Sequence, residues 1–272
     1  LLRAVAFYYT LFRPSIGKKA DPYLKRRFRG ENILKKRLNR LRIYVNFGKS
    51  LVDKAVIGIK GPQEIQVAFD DQETILELVR GGKGLLILTA HVGCWQAAMS
   101  ALHFLEKPVS LLLHREAGDV DLQYFEHKNG PPPFRIIDPL GYLGGVLEMM
   151  EVLKKGEVLC IMGDRVLGDE KNTVSVNFLG EEVRLPVSAF KLAGATGVPI
   201  PVLFSYKSGP DAYRLFLDRV IRVPKDIGKR VQDFQPQAEQ FAGALEAYVE
   251  KFPYQFFNFY DLWGEGAENI ER

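Results

Sequence analysis

At 272 residues the chain is long enough for one or two domains of roughly 100–200 residues each. Its 47% hydrophobic and 26% charged residues exclude a disordered tail, a collagen-like fibre and a coiled-coil rod. The net charge of +4 conceals a split: residues 1–60 carry 16 Lys/Arg against three Asp/Glu (+13), and the remainder 21 against 30 (−9). One end of the chain is therefore suited to an anionic surface, lipid or nucleic acid. Residues 1–12 (LLRAVAFYYTLF) are apolar and aromatic apart from Arg3. They are too few to span a bilayer, which takes ~20 residues, and lack a signal-peptide cleavage site. Since the sequence begins at Leu, further residues are expected upstream. The basic pairs and triplets at 18–19, 25–27 and 35–37 after these aromatics suit an interfacial anchor, or else a solvated face of a packed helix.

Helical spacing runs over residues 22–58, with a break at 58–62. Residues 72–80 form a short helix closed by Gly81-Gly82. The apolar run 84–89 has the length and continuity of a buried parallel strand. A helix over 95–105 and a strand over 109–114 follow. The stretch 116–133 is polar and rich in Gly and Pro. Beyond it a strand is expected at 134–137, a helix at 144–155 and a buried strand at 158–162. Residues 173–178 alternate as a hairpin arm turning near Gly180. A helix at 188–195, strands at 198–206 and 213–223, and a long helix at 234–251 complete the chain. Alternating strands and helices define an α/β layered domain, and the late hairpin-like strands make the sheet mixed. The organisation expected is a basic helical, membrane-associated region over residues 1–60 and an α/β domain over 61–272.

Cys94 and Cys160 stand too far apart for a CxxC zinc site, and two cysteines point to a reducing compartment. There is no HExxH, GxGxxG, GxxxxGK[ST] or GxSxG. Their absence argues against a zinc protease, a Rossmann enzyme, a P-loop enzyme and an α/β-hydrolase. His103, His114 and His127 lack acidic partners at metal-ligand spacing and read as ordinary core, strand-end and loop residues.

Residues 85–97 (LLILTAHVGCWQA) carry the chemistry. A buried strand ends at Thr89 and His91 follows, at the carboxyl end of a strand, where open α/β sheets place their sites. An imidazole titrating near neutrality serves as a general base, and needs a carboxylate or carbonyl on its other nitrogen. AHVGCWQ resembles the motif of the lipid A late acyltransferase family, within the lysophospholipid acyltransferase-like superfamily. There His is followed, after four residues, by Asp or Glu. His91, Gly93 and Trp95 keep that frame, with Cys94 for Asn and Gln96 for the acid. The likeness continues through Arg115 after a strand, Met162-Gly163-Asp164-Arg165, the stretch 177–180 with Arg184-Leu185-Pro186, the stretch 192–201, and 252–257 (FPYQFF). The ordered set covers about residues 47–263.

This resemblance implies a mixed, mainly parallel sheet flanked by helices, of the glycerol-3-phosphate acyltransferase-like kind. It implies His91 as base, with Arg115 and Asp164 shaping the acceptor or transition-state region. Trp95, Cys94, Arg165, Arg184 and Pro186 are then expected in the substrate region; Arg184, next to Leu185-Pro186, reads by itself as a phosphate ligand or as a solvated loop arginine. The donor would be acyl carrier protein or acyl-CoA, and the acceptor a lipid A-like glycolipid hydroxyl. The reaction would run at the cytoplasmic face of a bacterial inner membrane, on a membrane surface. Neither metal nor nucleotide cofactor is needed, and no nucleic acid partner is expected.

Gln96 leaves three readings open. Asp164 or another carboxylate replaces the acid, the Gln was introduced to trap a ligand, or the chain is a weak or inactive lipid-binding relative. A lysophospholipid or aminolipid acceptor is the alternative within acyl transfer. Cys94 stands where the family has a non-nucleophilic Asn and reads as a space-filling thiol. The aromatic close at 252–263 reads as core, as a wall of the acyl groove or as a membrane-facing edge.

Overall fold

The computed structural model describes residues 18–114, 134–166 and 170–264. The helical periodicity of residues 22–58 resolves into two helices, α1 (Asp21–Arg27) and α2 (Ile33–Lys60). The chain turns between them through Gly30 at φ +76°, and the Asn32 side chain caps α2 by accepting from the Lys35 N–H at 3.0 Å. Next come β1 (Gln66–Phe69), α3 (Gln72–Arg80), β2 (Leu85–Thr89), α4 (Trp95–Ser100), β3 (Val109–Leu112) and β4 (Arg135–Ile137). They are followed by α5 (Val146–Lys154), β5 (Val158–Met162), β6 (Thr173–Phe178), β7 (Glu181–Pro186) and α6 (Ser188–Thr196). β8 (Ile200–Gly209), β9 (Ala212–Ile221) and α7 (Gln235–Lys251) end the series.

Seven strands form one sheet in the order β1-β9-β8-β2-β5-β3-β4. Every neighbouring pair is parallel except β8–β9. The mixed, mainly parallel α/β sheet expected from the sequence is thus observed, and β6–β7 forms a separate antiparallel hairpin. The short edge strand β1, paired in parallel with β9 from Gln66↔Ala212, has no signature in the apolar pattern.

Why β2 and β5 read as unbroken apolar runs is visible in the layers. Leu86, Leu88, Leu159 and Ile161 pack toward α5, α6 and α7, whereas Leu85, Ile87, Val158 and Cys160 face α3, α4 and the end of α2. Strands covered on both faces have no polar alternation to show. The region 18–60 joins this core. Tyr23 meets Phe256 edge-on at 5.0 Å, Tyr44 stacks on Phe259 at 5.2 Å, and Phe47 packs on Phe257 and Phe259. Of the readings of the aromatic close, core packing is the one these contacts show. It clamps α1 and α2 to the sheet.

Candidate active site

β2 and β5 are adjacent, parallel and in register from Leu85↔Val158 to Thr89↔Met162, so their carboxyl ends open side by side. His91 follows one strand and Asp164 the other. The Gly163 N–H donates to Thr89 O at 2.9 Å and sets the second loop against the first. The result is a dyad: His91 Nδ1 lies 2.8 Å from Asp164 Oδ1, and the His91 backbone N–H donates to Oδ2 at 3.2 Å. Asp164 is fully buried, whereas the His91 side chain keeps 27% exposure. Burial by itself would raise the Asp164 carboxyl. The facing imidazole, the Arg165 guanidinium and the His91 N–H outweigh that and hold it below the usual carboxylate range. An ionised Asp164 accepts from Nδ1–H, which leaves the Nε2 lone pair as the basic one. Among the described residues nothing hydrogen-bonds Nε2.

Gln96 is buried and its Oε1 accepts from the Cys94 thiol across 3.5 Å. The carboxylate on the imidazole thus comes from Asp164, one of the alternatives the sequence leaves open. Burial raises the Cys94 thiol above its ordinary value, as it does Cys160, pushed up to about 12, so neither is a ready thiolate. Trp95 meets Phe134 edge-on at 5.8 Å. Arg165 is mostly buried, donates Nε–H to Asn258 Oδ1 at 3.0 Å and sets its charge beside Asp164. Arg184 lies on the β6–β7 hairpin, its Nε–H on Thr173 Oγ1 at 2.9 Å, with Pro186 at the hairpin's end. Arg115 lies outside the described residues. The structure thus brings His91, Asp164 and Arg165 together, buries Cys94 and Gln96 at the start of α4, and puts Arg184 and Pro186 on the hairpin.

The loop that carries His91 is held at several points. The Gly93 N–H donates to Gln255 O at 3.0 Å, the Phe257 N–H to His91 O at 2.7 Å, and the Ser50 hydroxyl to Gly93 O at 3.0 Å. Gly93 has φ +58°, and a Cβ there would collide with Ser205 O, so only glycine fits. Behind the loop, Asp53 pairs with Lys207 and accepts from the Tyr213 hydroxyl, a buried polar cluster that braces β8 and β9.

A narrow apolar cavity, partly open to solvent, adjoins the dyad. Thr89 and Val92, which flank His91, line it with Trp95, Met99, Leu113 and Met162. Among the described residues, its walls include none from the aromatic close. Sequence reasoning missed Asn258, which touches both Asp164 and Arg165. Its one signal is an amide set inside the aromatic run 252–263.

Fold and site together define an α/β protein with a His–Asp dyad at adjacent strand ends beside an apolar cavity. A model of the family described as bacterial lipid A biosynthesis acyltransferase matches residues 41–265. The chain belongs to that family, and is an acyltransferase by family. Among solved structures it is similar to the 1-acyl-sn-glycerophosphate (LPA) acyltransferase PlsC from Thermotoga maritima. The identity is 14%, 93% of each chain is covered, and the TM-score is 0.41. No curated protein matches the chain.

Proposed function

We propose that this protein transfers a fatty acyl chain from a thioester donor, acyl carrier protein or acyl-CoA, to a hydroxyl of a lipid A-like glycolipid. His91 acts as the general base. The observation that carries this reading is the buried, ionised Asp164 on His91 Nδ1, next to an apolar cavity. Nε2 takes the proton of the acceptor hydroxyl as its oxygen attacks the thioester carbonyl. The C–O bond forms, a tetrahedral oxyanion appears, the C–S bond breaks, and the imidazolium returns the proton to the departing thiolate. Asp164 stabilises the transient imidazolium, and Arg165 sets a positive charge beside that carboxylate. The cavity takes the acyl chain, which its apolar walls suit.

In this reading the reaction runs at the cytoplasmic face of a bacterial inner membrane. No helix among the described residues is long and apolar enough to cross a membrane. Surface contact is instead supported by the exposed Ile33, Leu34 and Leu38, interleaved with Lys35, Lys36 and Arg37 on the first turns of α2. It is also supported by an exposed apolar stretch, residues 140–147, after β4. Basic and apolar residues together suit an anionic lipid surface.

The test is a mass-spectrometric transfer assay. Purified protein is incubated with acyl carrier protein or CoA loaded with labelled acyl chain and with glycolipid, lysophospholipid and aminolipid acceptors. Label transfer to the glycolipid that His91→Ala abolishes is the expected result. Preference for another acceptor would move the substrate class. Saturable lipid binding without transfer from any donor would overturn the enzymatic reading and leave a lipid-binding protein.

A further inference from the structure

Asn258 is 3% exposed and follows closely on Gln255, whose side chain accepts from the Lys207 N–H on β8 and so ties the segment to the sheet. The Asn258 Nδ2 donates to Asp164 Oδ2 at 3.0 Å and to Asp164 O at 3.3 Å. Its Oδ1 accepts from Arg165 Nε–H at 3.0 Å and from the Tyr260 N–H at 3.2 Å. Two donors on Oδ1 fix which way the amide faces, because a flipped amide would set N–H against N–H twice. With Nδ2 thus aimed at it, Oδ2 is taken up by Asn258 and by the His91 backbone N–H, and Oδ1 alone remains for the imidazole. The backbone of the same segment closes the other side, since Phe257 N–H holds His91 O.

We infer that Asn258 is the positioning residue of the dyad. It locks the Asp164 carboxylate in the rotation that keeps His91 as the Nδ1–H tautomer with Nε2 free. An amide suits the place better than a carboxylic acid or a hydrocarbon. It donates to Asp164 and accepts from Arg165 at once, and it adds no charge beside an ionised carboxylate. This rests on the reading of His91 as the base, but its first consequence, the tautomer, is independent of any substrate.

The experiment compares wild type with Asn258→Leu and Asn258→Asp in two readouts. The first is the tautomer of His91 in ¹⁵N-labelled protein, read from the ring nitrogen shifts, with His91→Gln used to assign the signals. The second is the pH dependence of acyl transfer. Wild type is expected as the Nδ1–H form, and Asn258→Leu as a mixture of both neutral tautomers. In that variant kcat falls about 10–100-fold, with KM for donor and acceptor within about twofold, as for lost partners of a metal-bound histidine. Asn258→Asp keeps the shape. Two adjacent carboxyls share a proton, so in that variant the new carboxyl, while protonated at low pH, still donates to Asp164. Its activity then falls on the alkaline side as that proton leaves, where wild type stays level. The inference is overturned if both variants fold, keep the wild-type tautomer and follow the wild-type pH profile. It is also overturned if wild type itself is not the Nδ1–H form. If no variant and no wild type transfers acyl groups while the tautomer shifts as stated, the acyl-transfer reading fails and the positioning role stands.

Discussion

At the scale of single residues, the division of labour between positions 96 and 164 decides what a variant does. Asp164 already supplies the negative charge on Nδ1, so restoring an acid at 96 adds nothing that the imidazole lacks. A Glu at this buried place would have to ionise next to the Cys94 thiol, or remain protonated. Gln96→Glu is expected to leave kcat within about twofold and to cost about 1–3 kcal/mol of stability. Parallel kinetics and urea denaturation would check it. Asp164→Asn should lose far more, on the order of 10⁴ in kcat by analogy with the serine-protease Asp, because the tautomer and the imidazolium both lose support. Single-turnover rates measure that loss. The same carboxyl gives a pH signature. Its folded value is depressed, so its stabilisation is complete above the unfolded carboxylate range, about pH 4. It is lost as pH falls through the lower, folded value. Urea midpoints from about pH 7 down to about pH 3 should therefore decline more in wild type than in Asp164→Asn. The histidine was legible because it stands directly after a strand. The partner was less so, because 73 residues separate Asp164 from His91 and only the pairing of β2 with β5 brings them together. Asn258 was not legible, since its one signal, an amide among aromatics, does not point to a carboxylate 94 residues away.

At the scale of elements, the loop between β2 and α4 is the part on which the site turns. Gly93→Ala is expected to destabilise by about 1–3 kcal/mol, since it forces an L-residue into left-handed backbone. Its Cβ would also run into Ser205 O. Activity should fall more steeply than stability, because the displaced loop carries His91. A thermal melt beside an initial-rate assay separates the two. Most elements were readable because burial on both faces or helical periodicity wrote them into the chain; β5 and α3 have the expected bounds. The failures share one cause, which is that local sequence gives way to geometry. Four-residue β1 is a strand only because β9 lies alongside it. The periodicity of 22–58 runs across Gly30, where the backbone turns without breaking the pattern of apolar residues. The helix expected over 95–105 ends at Ser100, and a separate 3₁₀ turn covers His103–Leu105.

At the scale of the whole molecule, two surfaces of different chemistry are available to a lipid acceptor. One is the basic and apolar start of α2. The other is the loop after β4 with the first turn of α5, where Leu140, Tyr142, Leu143, Val146 and Leu147 are between 43% and 82% exposed. That loop has a defined shape. Asp138 Oδ1 accepts from the Leu140 N–H at 2.9 Å, and Leu143, Gly144 and Gly145 all take positive φ. It leaves the carboxyl end of β4, which runs parallel to β3, itself parallel to β5, so it opens at the end of the sheet that carries Asp164. Salt distinguishes the two surfaces. Screening weakens the attraction of Lys and Arg for anionic lipid but leaves the burial of apolar side chains in place. Vesicle binding should therefore fall with salt in wild type to a plateau. Leu143→Asp with Leu147→Asp should lower that plateau about tenfold per residue, at about 1.4 kcal/mol each. Lys35→Gln with Lys36→Gln should instead flatten the dependence on salt and leave the plateau unchanged. Co-sedimentation with vesicles of neutral and of anionic lipid, at low and high salt, reads both terms. A plateau untouched by the Leu variants would place the apolar loop away from the bilayer.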